Sequence, residues 1–144
     1  MDHLAIMKKS WGLTGKILTG KKRIESRWYK FRHPPWDKIT SGDNVYFKDS
    51  GESVTIKAEV EKVLQFSDLN REKVWEIFEK YGKDDGIEPE EMQKFYEIFK
   101  DRKYCILVFL KNPQMVEAFE IDKKGFGNMA SWISVNHIEV ISRN

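Results

Sequence analysis

The sequence predicts an α+β fold: a small, mostly antiparallel β-barrel of about six or seven strands, with a short N-terminal helix and a two-helix insertion. Two observations carry that reading. Apolar and polar residues alternate over Arg23 to Tyr29 and over Val54 to Val63, the period-two mark of half-buried strands. Between about residues 68 and 102 the period lengthens to that of amphipathic helices. At 144 residues, with 40% apolar and 33% charged side chains, the chain is sized for a single domain spanning 1–144 that buries a core.

The elements follow in order. Leu4 to Lys8 reads as a strand of apolar and β-tolerant residues. Ser10 is placed as the N-cap of a helix that carries Trp11, Thr14, Ile17 and Leu18 at helical spacing and stops at Gly20. Arg23 to Tyr29 sets Ile24, Ser26 and Trp28 on one face and Glu25 and Arg27 on the other; His33-Pro34-Pro35-Trp36 then breaks the ladder. Asn44 to Lys48 and Val54 to Leu64 flank Asp49-Ser50-Gly51-Glu52 and read as a hairpin.

Arg71 to Tyr81 is a helix with Val74, Ile77, Phe78 and Tyr81 on one stripe. Glu88 to Lys100 is another, with Pro89 in its first turn and Met92, Phe95, Tyr96 and Phe99 on its stripe. Tyr104 to Leu110 is apolar throughout and predicts a central strand. Val116 to Ile121 and His137 to Ile141 are placed as closing strands.

Composition excludes several classes. The charge and apolar fractions exclude a disordered tail and a collagen-like rod. The longest apolar run, Cys105 to Leu110, is far short of the roughly 20 residues of a membrane helix, so no membrane partner is expected. One cysteine builds no disulfide framework, and the first residues lack a signal-peptide pattern, so a cytoplasmic location is expected.

Several motifs fail on inspection. Lys83-Asp84-Asp85-Gly86 resembles a calcium loop, but aligning Gly86 with the loop glycine puts Tyr81, Lys83 and Met92 at ligand positions. His3, His33 and His137 lie far apart, with no carboxylate or cysteine at ligand spacing, so no metal and no cofactor is expected. Cys105, inside an apolar run, reads as a buried thiol. Gly125-Phe126-Gly127-Asn128 is too short for a phosphate loop.

Charge is distributed unevenly. Residues 1–40 carry a net +7 and the remainder −5, within an overall +2. The basic segment also holds Trp11, Trp28, Tyr29, Phe31 and Trp36, cations for phosphates and rings for bases. The alternative is a solvated basic face whose aromatics belong to the core. Within it, Gly20 to Arg27 packs five ionisable side chains into eight residues at a helix-to-strand junction. The strand period places Glu25 and Arg27 side by side with Lys22 at the strand's start, a set able to grip a polar edge or a phosphate, or to move a proton. A surface salt-bridge strip uses the same residues.

Gly20, Lys22, Glu25 and Arg27 reproduce the Gly-x-Lys-x-x-Glu-x-Arg signature, and on this pattern the chain resembles the ASCH domain family of the PUA-like superfamily. Lys9-Ser10-Trp11, Leu18 and Trp28-Tyr29 are similar to the family's surroundings of the signature; the match covers about residues 8 to 30. The resemblance implies a PUA-like β-barrel whose signature residues line a cleft for RNA or a modified nucleoside. Some members of the family look like enzymes, an amidohydrolase acting on N4-acetylcytidine and a ribonuclease. In the amidohydrolase the signature lysine is the catalytic group, aided by a threonine three residues later and a distant glutamate. The lysine falls on Lys22, but Glu25 occupies the threonine position, and Glu59, Glu61 and several helix acids all remain candidates for the glutamate.

Three functions follow. As a binding module, Lys21, Lys22, Arg23, Arg27 and Lys48 would hold phosphates in a basic cleft. Ser10, Trp11, Gly20, Trp28 and Tyr29 would frame a base, with Glu25 accepting from its amino group; Trp28 shares a face with Ile24, which also suits a core role. This reading expects Lys22→Ala to keep its fold. As an amidohydrolase or ribonuclease, Lys22 would be the catalytic base and Glu25 its proton partner, with Arg27 stabilising an oxyanion. That needs a lysine of lowered pKa, which Lys21 and Arg23 favour and Glu25 opposes. As a protein-interaction module, the acidic helices over 71–100 would be the working surface.

Overall fold

The computed structural model describes residues 1–127 and 129–143. Six strands form one mixed sheet in the order β2-β5-β4-β3-β1-β6: β1 (Asp2–Met7), β2 (Ile24–Tyr29), β3 (Asn44–Asp49), β4 (Val54–Phe66), β5 (Tyr104–Phe119) and β6 (Trp132–Val135). The β1–β3 pair is parallel and the other neighbours are antiparallel. Three helices accompany the sheet: α1 (Leu13–Leu18), α2 (Arg71–Tyr81) and α3 (Met92–Phe99).

The sheet curls into a half-barrel, with β2 and β6 as its two edges among the described residues. The curl comes from the long β4–β5 pair, whose register shifts three times; each such bulge adds twist to the strand that carries the extra residue. One shift lies across from Asn112, at φ +52, and Pro113, which has no N–H for the ladder. Arg27 spans the remaining gap. From β2 its guanidinium reaches the carbonyl of Ile6 on β1 at 3.3 Å and that of Ser131, just before β6, at 3.2 Å.

Alternation along β5 explains its apolar run. Ile106, Val108 and Leu110 face the inside of the half-barrel with Ala5, Val45, Phe47 and Val60. Cys105 and Leu107 face the other way, onto Val74, Phe78 and Phe95 of the helices. Both faces of the strand are covered, so period two gives way to continuous hydrophobicity. A third cluster, including Leu4, Val54, Ile133 and Ile138, closes the opposite part of the sheet. Among the described residues no helix is long and apolar enough to cross a membrane.

Several expectations change. The N-terminal helix does not begin at Ser10: Gly12, in the left-handed region at φ +63, splits the segment into a 3-10 turn, Lys9–Trp11, and α1. The segment from Glu88 likewise opens with a 3-10 turn, Pro89–Glu91, closed by a reciprocal Glu88–Glu91 capping box ahead of α3. Val116 to Phe119 is the far end of β5, and Ile121 makes an isolated bridge to Ser142. His137 to Ile141 is not a strand. Its Ile138 N–H goes to the Asp2 carboxylate, and Val140 and Ile141 close back on His137 and Ile138 as a 3-10 turn. The sixth strand is instead Trp132–Val135, four residues, too short for alternation to show. Asn128 of the two-glycine turn lies outside the described residues.

Candidate functional site

Gly20, at φ +82, ends the N-terminal segment, and Lys22 N–H closes back on the Lys16 carbonyl at 2.9 Å. That turn drives the Lys22 side chain inward, where it is 2% exposed. Its ammonium donates to the Asp85 main-chain carbonyl at 2.8 Å, pairs with the Asp85 carboxylate, and sits 3.1 Å from Glu25. The three acceptors use the three ammonium protons. Ser26 donates to the other Asp85 oxygen at 2.5 Å, and Trp28 Nε1 donates to Ser26 Oγ at 3.2 Å. Arg27 Nε and Nη2 hold the second Glu25 oxygen at 2.9 and 2.8 Å.

Two cations and two carboxylates therefore balance in a nearly dry place. Burial alone would drive the proton off Lys22, but Asp85 and Glu25 outweigh it and hold its pKa above the ordinary lysine value. For Asp85, burial, aided by the Glu25 charge, leaves the carboxyl above its ordinary value against the downward pull of Lys22 and Ser26. Lys22 is thus a fixed cation, the opposite of the lowered lysine that a free amine base requires.

Above the cluster lies a cavity of about 270 Å³, lined by Lys22, Glu25, Arg27 and Asp85 on one side and by aromatic rings on the other. The rings come from Trp11, from Trp28 and Tyr29 on β2, and from Phe78, Phe95 and Phe99 on the helices. Trp28 stacks on Phe78 and Phe99 at 5.0 and 5.7 Å between centroids, and Trp11 meets Phe95 edge-on at 5.0 Å. Trp28 is both core and wall, stacked against α2 and α3 yet lining the cavity.

Of the residues singled out in the sequence, Trp11, Lys22, Glu25, Arg27, Trp28 and Tyr29 line this cavity. Lys21 and Arg23 are exposed and engaged elsewhere, 3.9 Å from Glu88 and 3.1 Å from Asp84. Ser10 is exposed in the 3-10 turn, Gly20 serves the chain reversal, and Lys48 sits on β3 outside the cavity lining. The four buried charges compensate one another, and Lys8, the further cation of the lining, lies over the Trp11 ring at 5.1 Å.

Asp85 is the residue that sequence reasoning missed. Its signal was the Lys83–Gly86 loop, set aside once calcium failed. That loop carries Asp85 to Lys22, and Gly86, at φ +79, lies against the lysine stem. Burial pushes the Cys105 thiol far above its ordinary value, which leaves it unreactive. The structure also brings together Asp2, His137 and Glu139, each with one donor atom within 4.8 Å of the others, a proximity that sequence spacing does not display.

The chain matches the crystal structure of ASCH from Zymomonas mobilis with a TM-score of 0.68 at 16% identity, covering 96% of this chain and 90% of that one. A mutant of the same protein gives 0.67 at 15% identity, over 96% and 91%. The structure of hypothetical protein PH0355 gives 0.52 at 22% identity, over 77% of this chain and 98% of that chain. No family model and no curated protein sequence matches. The likeness is one of fold: the chain has an ASCH-like α+β fold.

Proposed function

We propose that this ASCH-like domain binds RNA or a modified nucleoside by seating an uncharged base between the aromatic wall and the Lys22–Glu25–Arg27–Asp85 cluster. The observation that carries this reading is the pairing of a ring-lined cavity with a buried polar floor whose charges cancel. Stacking supplies affinity, and a few fixed polar groups supply orientation.

The floor has a definite polarity. All three Lys22 protons are engaged within the protein, so the floor offers mainly the spare lone-pair capacity of Glu25, Asp85 and Ser26, beside one Arg27 N–H. Such a floor accepts hydrogen bonds. It favours a base edge carrying an exocyclic amino or amide N–H, and it offers a phosphate little, because Lys22 and Arg27 are already matched by Glu25 and Asp85.

The test is a titration of the purified protein with cytidine, uridine, adenosine, guanosine and N4-acetylcytidine, read by tryptophan fluorescence and calorimetry, with acetate release followed in parallel. Saturable binding of an amino- or amide-bearing nucleoside, lost in Glu25→Gln at unchanged circular dichroism, supports the reading. No binding by a folded protein overturns it. Acetate release that depends on Lys22 would make the protein an amidohydrolase, the reading the protonated lysine disfavours.

A further inference from the structure

A second cavity, of about 510 Å³, adjoins the first and shares two wall residues with it, Tyr29 and Ser131. Arg27, which lines the first cavity, also touches two residues of the second: its guanidinium donates to the Ser131 carbonyl and lies 5.1 Å from the centre of the Trp132 ring.

Their chemistry differs. The first is floored by Glu25 and Asp85. The described residues lining the second include Lys38 and His33 and no carboxylate. Its walls are ring-rich as well: Tyr29 and His33 lie 5.4 Å apart, Phe126 is 42% exposed, and Trp132 stands behind. Exposed rings beside an uncompensated cation are what a nucleotide needs, a face for the base and a charge for the phosphate.

We propose that this second cavity is the subsite for the neighbouring nucleotide of a single-stranded RNA, so that the protein reads a base within a polynucleotide rather than a free nucleoside. The inference rests on the base-binding reading of the first cavity. The nucleotide flanking the bound base has to lie directly beside it, and the second cavity is where the protein offers both stacking surface and positive charge. Division of labour follows: the compensated floor selects the base, and the cationic cavity supplies salt-sensitive affinity.

Lys38→Glu and Phe126→Ala test it, since both side chains are solvent-accessible and neither lines the first cavity. The probes are the nucleoside that binds best among the five above, its 3′-monophosphate, and a single-stranded RNA tetranucleotide containing it, each titrated at two salt concentrations. The tetranucleotide should bind the wild type about tenfold or more tighter than the nucleoside, the lower range for one added stacked base. Either substitution should remove most of that gain and leave nucleoside affinity unchanged, and the two phosphate-bearing probes should weaken with salt while the nucleoside should not. Equal affinities for nucleoside and tetranucleotide would overturn the subsite while leaving the base-binding reading intact. A gain that survives both substitutions would also overturn it, placing the flanking contacts elsewhere. If no nucleoside and no tetranucleotide binds, both readings fall together.

Discussion

The Lys22 ammonium donates to the main-chain carbonyl of Asp85 at 2.8 Å while pairing with the same residue's carboxylate. Two contacts to one residue fix the loop between α2 and α3 onto the start of β2, so the helical insertion is a structural partner of the signature strand. The Arg23 and Ile24 N–H groups reach the neighbouring Asp84 carbonyl at 2.6 and 2.9 Å and extend the joint along the main chain. Because the lysine is buried, Lys22→Ala is not the neutral substitution the sequence suggested. It leaves Glu25 and Asp85 without the cation between them, and breaking a buried pair from one side costs about 3–5 kcal/mol. Denaturant melts should show that loss at pH 7 and a smaller one near pH 5, where the stranded carboxylates take up protons. Lys22→Met, which fills the space, should lose less. Equal stability of Lys22→Ala and wild type would mean that the ion pair is not formed in solution.

Gly86 is the second half of that joint. Its φ of +79 suits glycine, and a Cβ placed there would stand 3.0 Å from the Lys22 Cβ. Gly86→Ala therefore meets strain and crowding together and should cost about 1–2 kcal/mol. The same variant should weaken nucleoside binding, because the loop that carries Asp85 has to shift. A melt unchanged from wild type, with unchanged binding, would show that the loop is free to adapt.

The half-barrel was legible wherever one face of a strand is wet or one stripe of a helix is apolar. Val54–Val63 alternates because it does so in space, and Arg71–Tyr81 is a helix at the bounds its stripe suggested. What was hidden depends on contacts distant in sequence. Asp85 finds Lys22 across 63 positions, and no local period records that. Trp132–Val135 is a strand because β1 pairs with it. His137–Ile141 has strand-like residues, but Asp2 takes the Ile138 N–H and turns the chain. The site was half legible for the same reason: Glu25 and Arg27 meet through the period of one strand, whereas Phe78, Phe95 and Phe99 reach the cavity from helices whose apolar stripe reads as ordinary core.

His3 gives the fold an acid-sensitive point. It is fully buried on β1, with Nε2 against Asp43 at 2.9 Å and Nδ1 facing Ser134 at 2.8 Å and Trp132 Nε1 at 3.2 Å. The indole N–H has to donate, so Nδ1 is the acceptor and the ring is neutral with its proton on Nε2. Burial pulls the His3 pKa below 6.5, against the upward pull of Asp43 and Asp2 and with a downward push from the N-terminal ammonium. The unfolded chain therefore binds more protons than the folded one below pH 6.5, and stability falls as pH drops through that value. Asp43 acts lower: burial raises it, but His3, the Thr40 amide and the N-terminus outweigh that and leave it below 3.8, so its contribution is lost only in stronger acid. Thermal melts between pH 8 and 5 should show a decline that His3→Gln flattens. A variant with the wild-type slope would assign the acid sensitivity to other groups.

Arg27 ties the two edges of the half-barrel and lines the first cavity, so a conservative change should be felt in both roles. Its fork serves Glu25, the Ile6 carbonyl and the Ser131 carbonyl at once, geometry a single ammonium cannot reproduce. At 12% side-chain exposure it is screened only in part. Arg27→Lys keeps the charge and loses at least one charge-assisted hydrogen bond, about 1.5–3 kcal/mol. The loss should be local as well as global, since β2 and β6 are the unpaired edges. Hydrogen exchange should therefore accelerate at Ile6 and across Trp132–Val135 more than in the α2–α3 insertion. Uniform acceleration would show that Arg27 supports global stability without holding the edges together. No change at all would show that the half-barrel keeps its curl through the β4–β5 bulges alone.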